Sequence, residues 1–203
     1  MRHILLSASF ILMTMTAYGQ TAETPQRPCT LKPAQAPAVR GGVKLDMTLD
    51  ELFAVFPGLS ETVGSLSESE RYPNFGLRDF SFNPSNYSRN DRFAGIGQLI
   101  IRSFDRRVVG LDVYYPSFPS GARWRNPDDL VQRFSESLHL PGPGAWATSD
   151  GYVQRKLNCD GFEITVSTAN EAAEISFNNR GWVQTQKERF AAFEEQKRRE
   201  FKP

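Results

Sequence analysis

The chain predicts an α+β fold: one antiparallel sheet of about six strands, built from two α-β-β-β repeats, with helices on one face and a helix at the C-terminus. Three observations carry this. Several short runs alternate apolar and polar residues, the mark of strands with one buried and one solvated face. The links between those runs are short, and only antiparallel neighbours can be joined that way. Two capped helix starts, at Thr48 and Asn126, each precede a group of strands.

Taken in order, residues 1–19 read as a secretory signal peptide. Arg2 and His3 form a basic start, Ile4 to Met15 an apolar run, and Ala17-Tyr18-Gly19 a small-residue cleavage site before Gln20. Residues 20–42 carry Pro25, Pro28, Pro33 and Pro37 with few large apolar residues, so a flexible arm is expected, with order starting near Val43. An α+β domain is expected over residues 43–180. Its first helix spans Met47 to Phe56. Thr48 with Glu51 makes a capping box, Leu49, Leu52, Phe53 and Phe56 recur at helical spacing, and Pro57-Gly58 stops it.

Strands are expected at Arg78–Phe82, Ala94–Phe104 and Val108–Tyr115. In the third, Val109, Leu111, Val113 and Tyr115 share one face, while Gly110, Asp112 and Tyr114 share the other. Asp105-Arg106 is the tight turn between the last two. Asn126 then caps a second helix with Pro127 at its first position, ending near Leu138. Three more strands follow, marked by Val153, Leu157 and Cys159, by Phe162, Ile164 and Val166, and by Ile175 and Phe177. Asp160-Gly161 is a strong hairpin turn, and Ala169-Asn170-Glu171 a second one. Residues 181–203 form the C-terminal helix, with a partial apolar stripe of Trp182, Val183, Phe190 and Phe193 and a charged end.

Composition narrows the function. The 203 residues hold 24 Lys+Arg against 23 Asp+Glu, a formal net charge of +1. Loss of residues 1–19 removes Arg2 and no acid, which takes it to zero. Phosphate contacts need a basic surplus, so nucleic acid is not the expected partner. After the signal segment no stretch is long and apolar enough to span a bilayer. Cys29 and Cys159 are the only cysteines. Exported thiols usually pair, so a disulfide is expected, with two separate thiols as the alternative. Cys29 follows Gln26-Arg27-Pro28, which is not a lipidation signal.

The stretch from Val43 through Met47-Thr48-Leu49-Asp50-Glu51-Leu52 to Phe56-Pro57-Gly58 resembles the opening helix of small exported bacterial proteins. These include the SmpA/OmlA outer-membrane assembly lipoproteins and the β-lactamase-inhibitor-protein fold, which stacks helix-plus-meander repeats. Asp46 stands where that family usually carries Gly, and the similarity covers about a dozen residues plus the order of elements. The resemblance implies a non-enzymatic, protein-binding role and transfers no binding residue. The layout, including the closing Phe201-Lys202-Pro203, also resembles uncharacterised secreted bacterial proteins.

Motifs for chemistry are scarce. His139 is the one histidine after the signal segment, at a helix C-terminus where it suits the dipole. There is no H-E-x-x-H, no G-x-S-x-G, no P-loop and no C-x-x-C, so neither a cofactor nor a metal is expected. Asp112, Glu163 and Glu174 all fall on polar strand positions. Solvated surface charge is one account of them, and a carboxylate-dependent hydrolase or glycan-active enzyme is the other. Tyr114 and Tyr152 are aromatics on polar positions, and Trp124 lies in the loop from Pro116 to Arg125, where it either meets a partner or folds back on the sheet.

The expected site is therefore the polar sheet face, with Arg102, Asp112, Tyr114, Trp124, Tyr152, Lys156 and Glu163. The expected function is a periplasmic or secreted, non-enzymatic binding or scaffold protein that recognises another protein or a cell-envelope component.

Overall fold

The computed structural model describes residues 28–59, 75–87, 91–116, 126–149, 154–169 and 172–201. The signal segment, Trp124, Tyr152 and the second half of the Ala169-Asn170-Glu171 turn lie outside them. The fold is α+β, with a single seven-stranded antiparallel sheet. Helix α1 (Leu49–Val55) precedes strands β1 (Leu77–Phe82), β2 (Gln98–Phe104) and β3 (Arg107–Tyr115). Helix α2 (Pro127–Leu138) precedes β4 (Ala147–Ser149), β5 (Gln154–Asn158), β6 (Phe162–Ala169) and β7 (Ala172–Asn179), and α3 (Trp182–Glu200) closes the chain.

The strand order is β1-β2-β3-β7-β6-β5-β4. Each half is a meander, and the last strands of the two halves, β3 and β7, pair antiparallel at the centre. A helix followed by a meander thus occurs twice, and the two copies meet through equivalent strands. The seventh strand is β4, three residues long, which adds an edge beyond β5.

The dry face of the sheet holds the core. Leu99, Ile101, Leu111, Val113, Ile164, Val166, Ile175 and Phe177 are all buried there in one core with Leu49 and Leu52 of α1, Phe56 at its C-cap, and Leu130, Val131 and Phe134 of α2. Phe134 meets Phe177 edge-on, with ring centres 6.0 Å apart, and Phe56 meets Phe82 at 5.0 Å. Both helices start as their residues dictate. The Thr48 hydroxyl accepts from the Glu51 amide, and Glu51 accepts from the Thr48 amide at 2.7 Å. The Asn126 side chain accepts from the Asp128 amide. Arg155 then donates twice to Asp128, at 2.6 and 3.0 Å, and pins the start of α2 to β5. His139 ends α2 in the left-handed conformation, φ 54°.

Four local expectations need correction. Order begins well before Val43: Cys29, Ala36 and Val39 are buried in the core, and Pro33–Gln35 form a 3₁₀ turn. The arm is short of large side chains, but the Cys29–Cys159 disulfide fastens it, and the Asp160 amide donates to the Leu31 carbonyl. The strand expected from Ala94 starts only at Gln98, because Asp91–Phe93 form a 3₁₀ turn that buries Phe93 and is followed by bonds from Ala94 to Asp91 and from Ile96 to Phe93. In β3, Arg102 faces Gly110 but Ser103 faces Val108, so Val109 is the extra residue of a bulge. Val108, not Val109, therefore joins Leu111 and Val113 in the core.

The fourth correction concerns α3, which does not join α1 and α2 on the dry face. It anchors at the corner where β2 turns into β3. Trp182 packs on Phe104, which by strand alternation shares the opposite face with Arg102. Arg189 lies over the Phe104 ring and donates to both carboxylate oxygens of Asp105, at 2.7 and 2.8 Å. Phe75 packs edge-on against Phe190 and Phe193. The guanidinium of Arg189 holds the Asp105 carboxyl below its ordinary range. Asp105 and Arg106 both take positive φ, 48° and 65°, as a two-residue hairpin turn with matching twist requires. Asp46 also sits at positive φ, 63°, a conformation glycine adopts freely.

Candidate functional site

Strand alternation sends the other half of the side chains to a wet face. Register lines them up in three rows across the sheet. One row runs Asn158, Glu163, Asn178, Gly110, Arg102, Asp79. The next runs Lys156, Thr165, Ser176, Asp112, Ile100, Ser81. The third runs Gln154, Ser167, Glu174, Tyr114, Gln98.

The middle of these rows is short. Thr165, Ser167, Ser176 and Gly110 stand between the longer Gln154 and Lys156 on β5 and Arg102 and Tyr114 on β2 and β3. The result is a depression of about 350 Å³, lined by Arg102, Asp112, Lys156, Glu163, Glu174 and their small polar neighbours. Gly110 has a specific part in it. A Cβ there would lie 3.2 Å from the Arg102 Cβ and 3.5 Å from its Nη1, so the missing side chain lets Arg102 lie flat over β3.

The charges divide unequally. Glu163, whose side chain is 12% exposed, is met by Arg180 at 2.5 Å and Lys156 at 3.4 Å. Arg102 is met by Asp79 at 3.2 Å. Asp112 accepts a hydrogen bond from the Ser176 hydroxyl, and Glu174 stands opposite Tyr114 in the β3–β7 register. Among the described residues neither Asp112 nor Glu174 has a cation in ion-pair range. Burial pushes the Glu174 carboxyl up, the Tyr114 hydroxyl pulls against it, and the charge of Asp112 adds to the rise. Burial, then the charge of Glu174, pushes the Tyr114 phenol up to about 12, so it stays a proton donor at neutral pH.

Four of the expected site residues line the depression, Arg102, Asp112, Lys156 and Glu163, and Tyr114 stands on the same face opposite Glu174. Trp124 and Tyr152 lie outside the described residues. Glu174 proves central, and strand parity had already placed it on this face. The floor of Thr165, Ser167, Ser176 and Asn178 carries no motif. Its signal is alternation alone, each residue following a core residue such as Ile164, Val166, Ile175 or Phe177. No group of three or more His, Cys, Asp or Glu side chains suited to a metal ion occurs among the described residues. No helix among them is long and apolar enough to cross a membrane.

Comparisons with protein-family models, with curated proteins and with solved structures find no match for this chain.

Proposed function

We propose that the chain is an exported, non-enzymatic binding or scaffold protein that recognises a protein or cell-envelope component through the wet face of its sheet. The observation that carries this is the depression: a small-residue floor on rigid strands, rimmed by charged side chains, with Asp112 and Glu174 left without a cation among the described residues. A protein loses stability by holding such groups half-buried, and proteins tolerate that loss at sites of use. The apolar run and cleavage pattern of residues 1–19 support export, and the Cys29–Cys159 bridge suits an oxidising compartment.

Crosslinking in the native envelope, followed by mass spectrometry, tests the reading. Wild-type protein is expected to capture a defined partner that Ser176→Trp, which fills the depression from a solvated position, fails to capture. Equal capture by both would remove the wet face from the account.

One observation favours a second reading, a carboxylate-dependent hydrolase or glycan-active enzyme. Asp112, Glu163 and Glu174 line one depression, and Glu174 holds its proton to higher pH than an ordinary glutamate. Carboxylates gathered in one depression, one of them with a raised value, are the raw material of an acid–base pair. Turnover of chromogenic glycosides that disappears in Glu174→Gln would establish it, and absence of turnover in the wild type would end it.

A further inference from the structure

The lining of the depression restricts what can fill it. Its floor offers hydroxyl and amide groups at the sheet's own spacing, about 4.8 Å between strands and about 6.6 Å between rows. An apolar ligand would cover these groups and leave them without partners. A ligand rich in hydroxyls both donates and accepts, and so can answer each of them.

Charge restricts it further. Lys156 and Arg180 are engaged by Glu163, and Arg102 by Asp79. A ligand bearing carboxylate or phosphate would have to break those pairs and also approach Asp112 and Glu174. A ligand bearing an ammonium meets two carboxylates that nothing in the described chain neutralises. The volume, about 350 Å³, is at the small end for ligand pockets. A short stretch of chain fits it better than a protein surface, which usually brings a broad patch centred on apolar and aromatic anchors. Among the described residues the one aromatic that lines the depression, Phe177, is buried in the core.

Building on the binding reading above, we propose that the depression takes an amino-sugar oligosaccharide, a polyhydroxylated chain bearing primary ammonium groups. The ammonium sits at Asp112 and Glu174. The ring hydroxyls lie on Thr165, Ser167, Ser176 and Asn178.

Calorimetric titration of the full mature chain tests this with three probes at near-neutral pH: the tetramer of glucosamine, its fully N-acetylated form, and the matching neutral glucose tetramer. The glucosamine tetramer is expected to bind saturably. The other two are expected to bind at least about tenfold more weakly, because the acetyl group or the hydroxyl removes the charge. Glu174→Gln and Asp112→Asn are each expected to weaken the glucosamine tetramer about tenfold. Both keep the size of the side chain at a half-buried polar position, and circular dichroism checks that they remain folded.

Absence of saturable binding to the glucosamine tetramer overturns the proposal. So does equal binding of the N-acetylated tetramer, or unchanged binding in the Asp112→Asn, Glu174→Gln double variant. The crosslinking experiment separates the two levels of failure. If it yields a protein partner that Ser176→Trp abolishes while the sugar does not bind, the amino-sugar claim falls and the binding face stands. If both fail, the binding face falls as well.

Discussion

The two faces of the sheet come from the same strands and differ in how far the molecule satisfies itself. On the dry face, Ile175 and Phe177 of β7 meet Val113 and Leu111 across the sheet and the helices above. On the wet face, Glu174 and Ser176 of the same strand meet Tyr114 and Asp112, and among the described residues two carboxylates remain without a cation. Residues next to each other in sequence thus serve opposite ends. A change at an odd position of β7 should be felt in folding, and one at an even position in recognition. The corner under α3 is a third condition: charged, yet matched, with Asp105 held by Arg189.

The largest expected effect tests whether the dry face depends on its tether. Replacing Cys29 and Cys159 by serine removes a bridge across a separation of 130 residues. Chain entropy sets the loss at about 5 kcal/mol at most. Urea unfolding with and without reductant measures it, and a loss near zero would mean that the arm packs without covalent help. Phe177→Ala comes next, at about 3–5 kcal/mol, set against Ser176→Ala at less than about 0.5 kcal/mol. Similar losses at the two neighbours would break the division between the faces.

Arg189→Ala sharpens the place of the corner. It should speed hydrogen exchange across the first half of α3 and leave the sheet amides unchanged. The pH dependence follows from sign. Asp105 has a lowered value in the folded state, so its contribution is complete above the ordinary aspartate value and fades as pH falls through the folded one. Hydrogen exchange of α3 measured down an acid series should show that fading in the wild type and much less of it in Arg189→Ala.

The smallest effect has the opposite sign. Glu174 has a raised value, so its ionisation opposes folding, and stability falls as pH climbs from the ordinary glutamate value through the folded one. Glu174→Gln should therefore raise stability at neutral pH by roughly a few tenths of a kcal/mol, and the gain should vanish in acid. Thermal unfolding at two pH values reads it. A destabilised variant would mean that Glu174 supports the fold.

The architecture was legible because antiparallel strands with short links leave few alternatives, and because Leu111, Ile164 and Ile175 keep a strict period of two. What escaped has physical reasons. Ala147–Ser149 is too short to show a period. One inserted residue, Val109, shifts a face without altering composition. The arm buries only small side chains, Ala36 and Val39, whose hold comes from the bridge and not from bulk. The rim of the depression was legible through Arg102, Asp112, Lys156 and Glu163, which stand out as charged on a polar parity. Its floor was not, since serine and threonine on a wet strand look like any solvated surface until register gathers them.

The covalent link from Cys29 to Cys159 makes most of the folded body a closed ring, with α3 and the last two strands as its tail. Any single cut by a protease between those two positions would open the ring without dividing it. The two pieces would travel as one band on a non-reducing gel and separate only when a thiol is added. On the export proposed above, such a ring would let the protein outlast a single nick where proteases are plentiful and repair is absent.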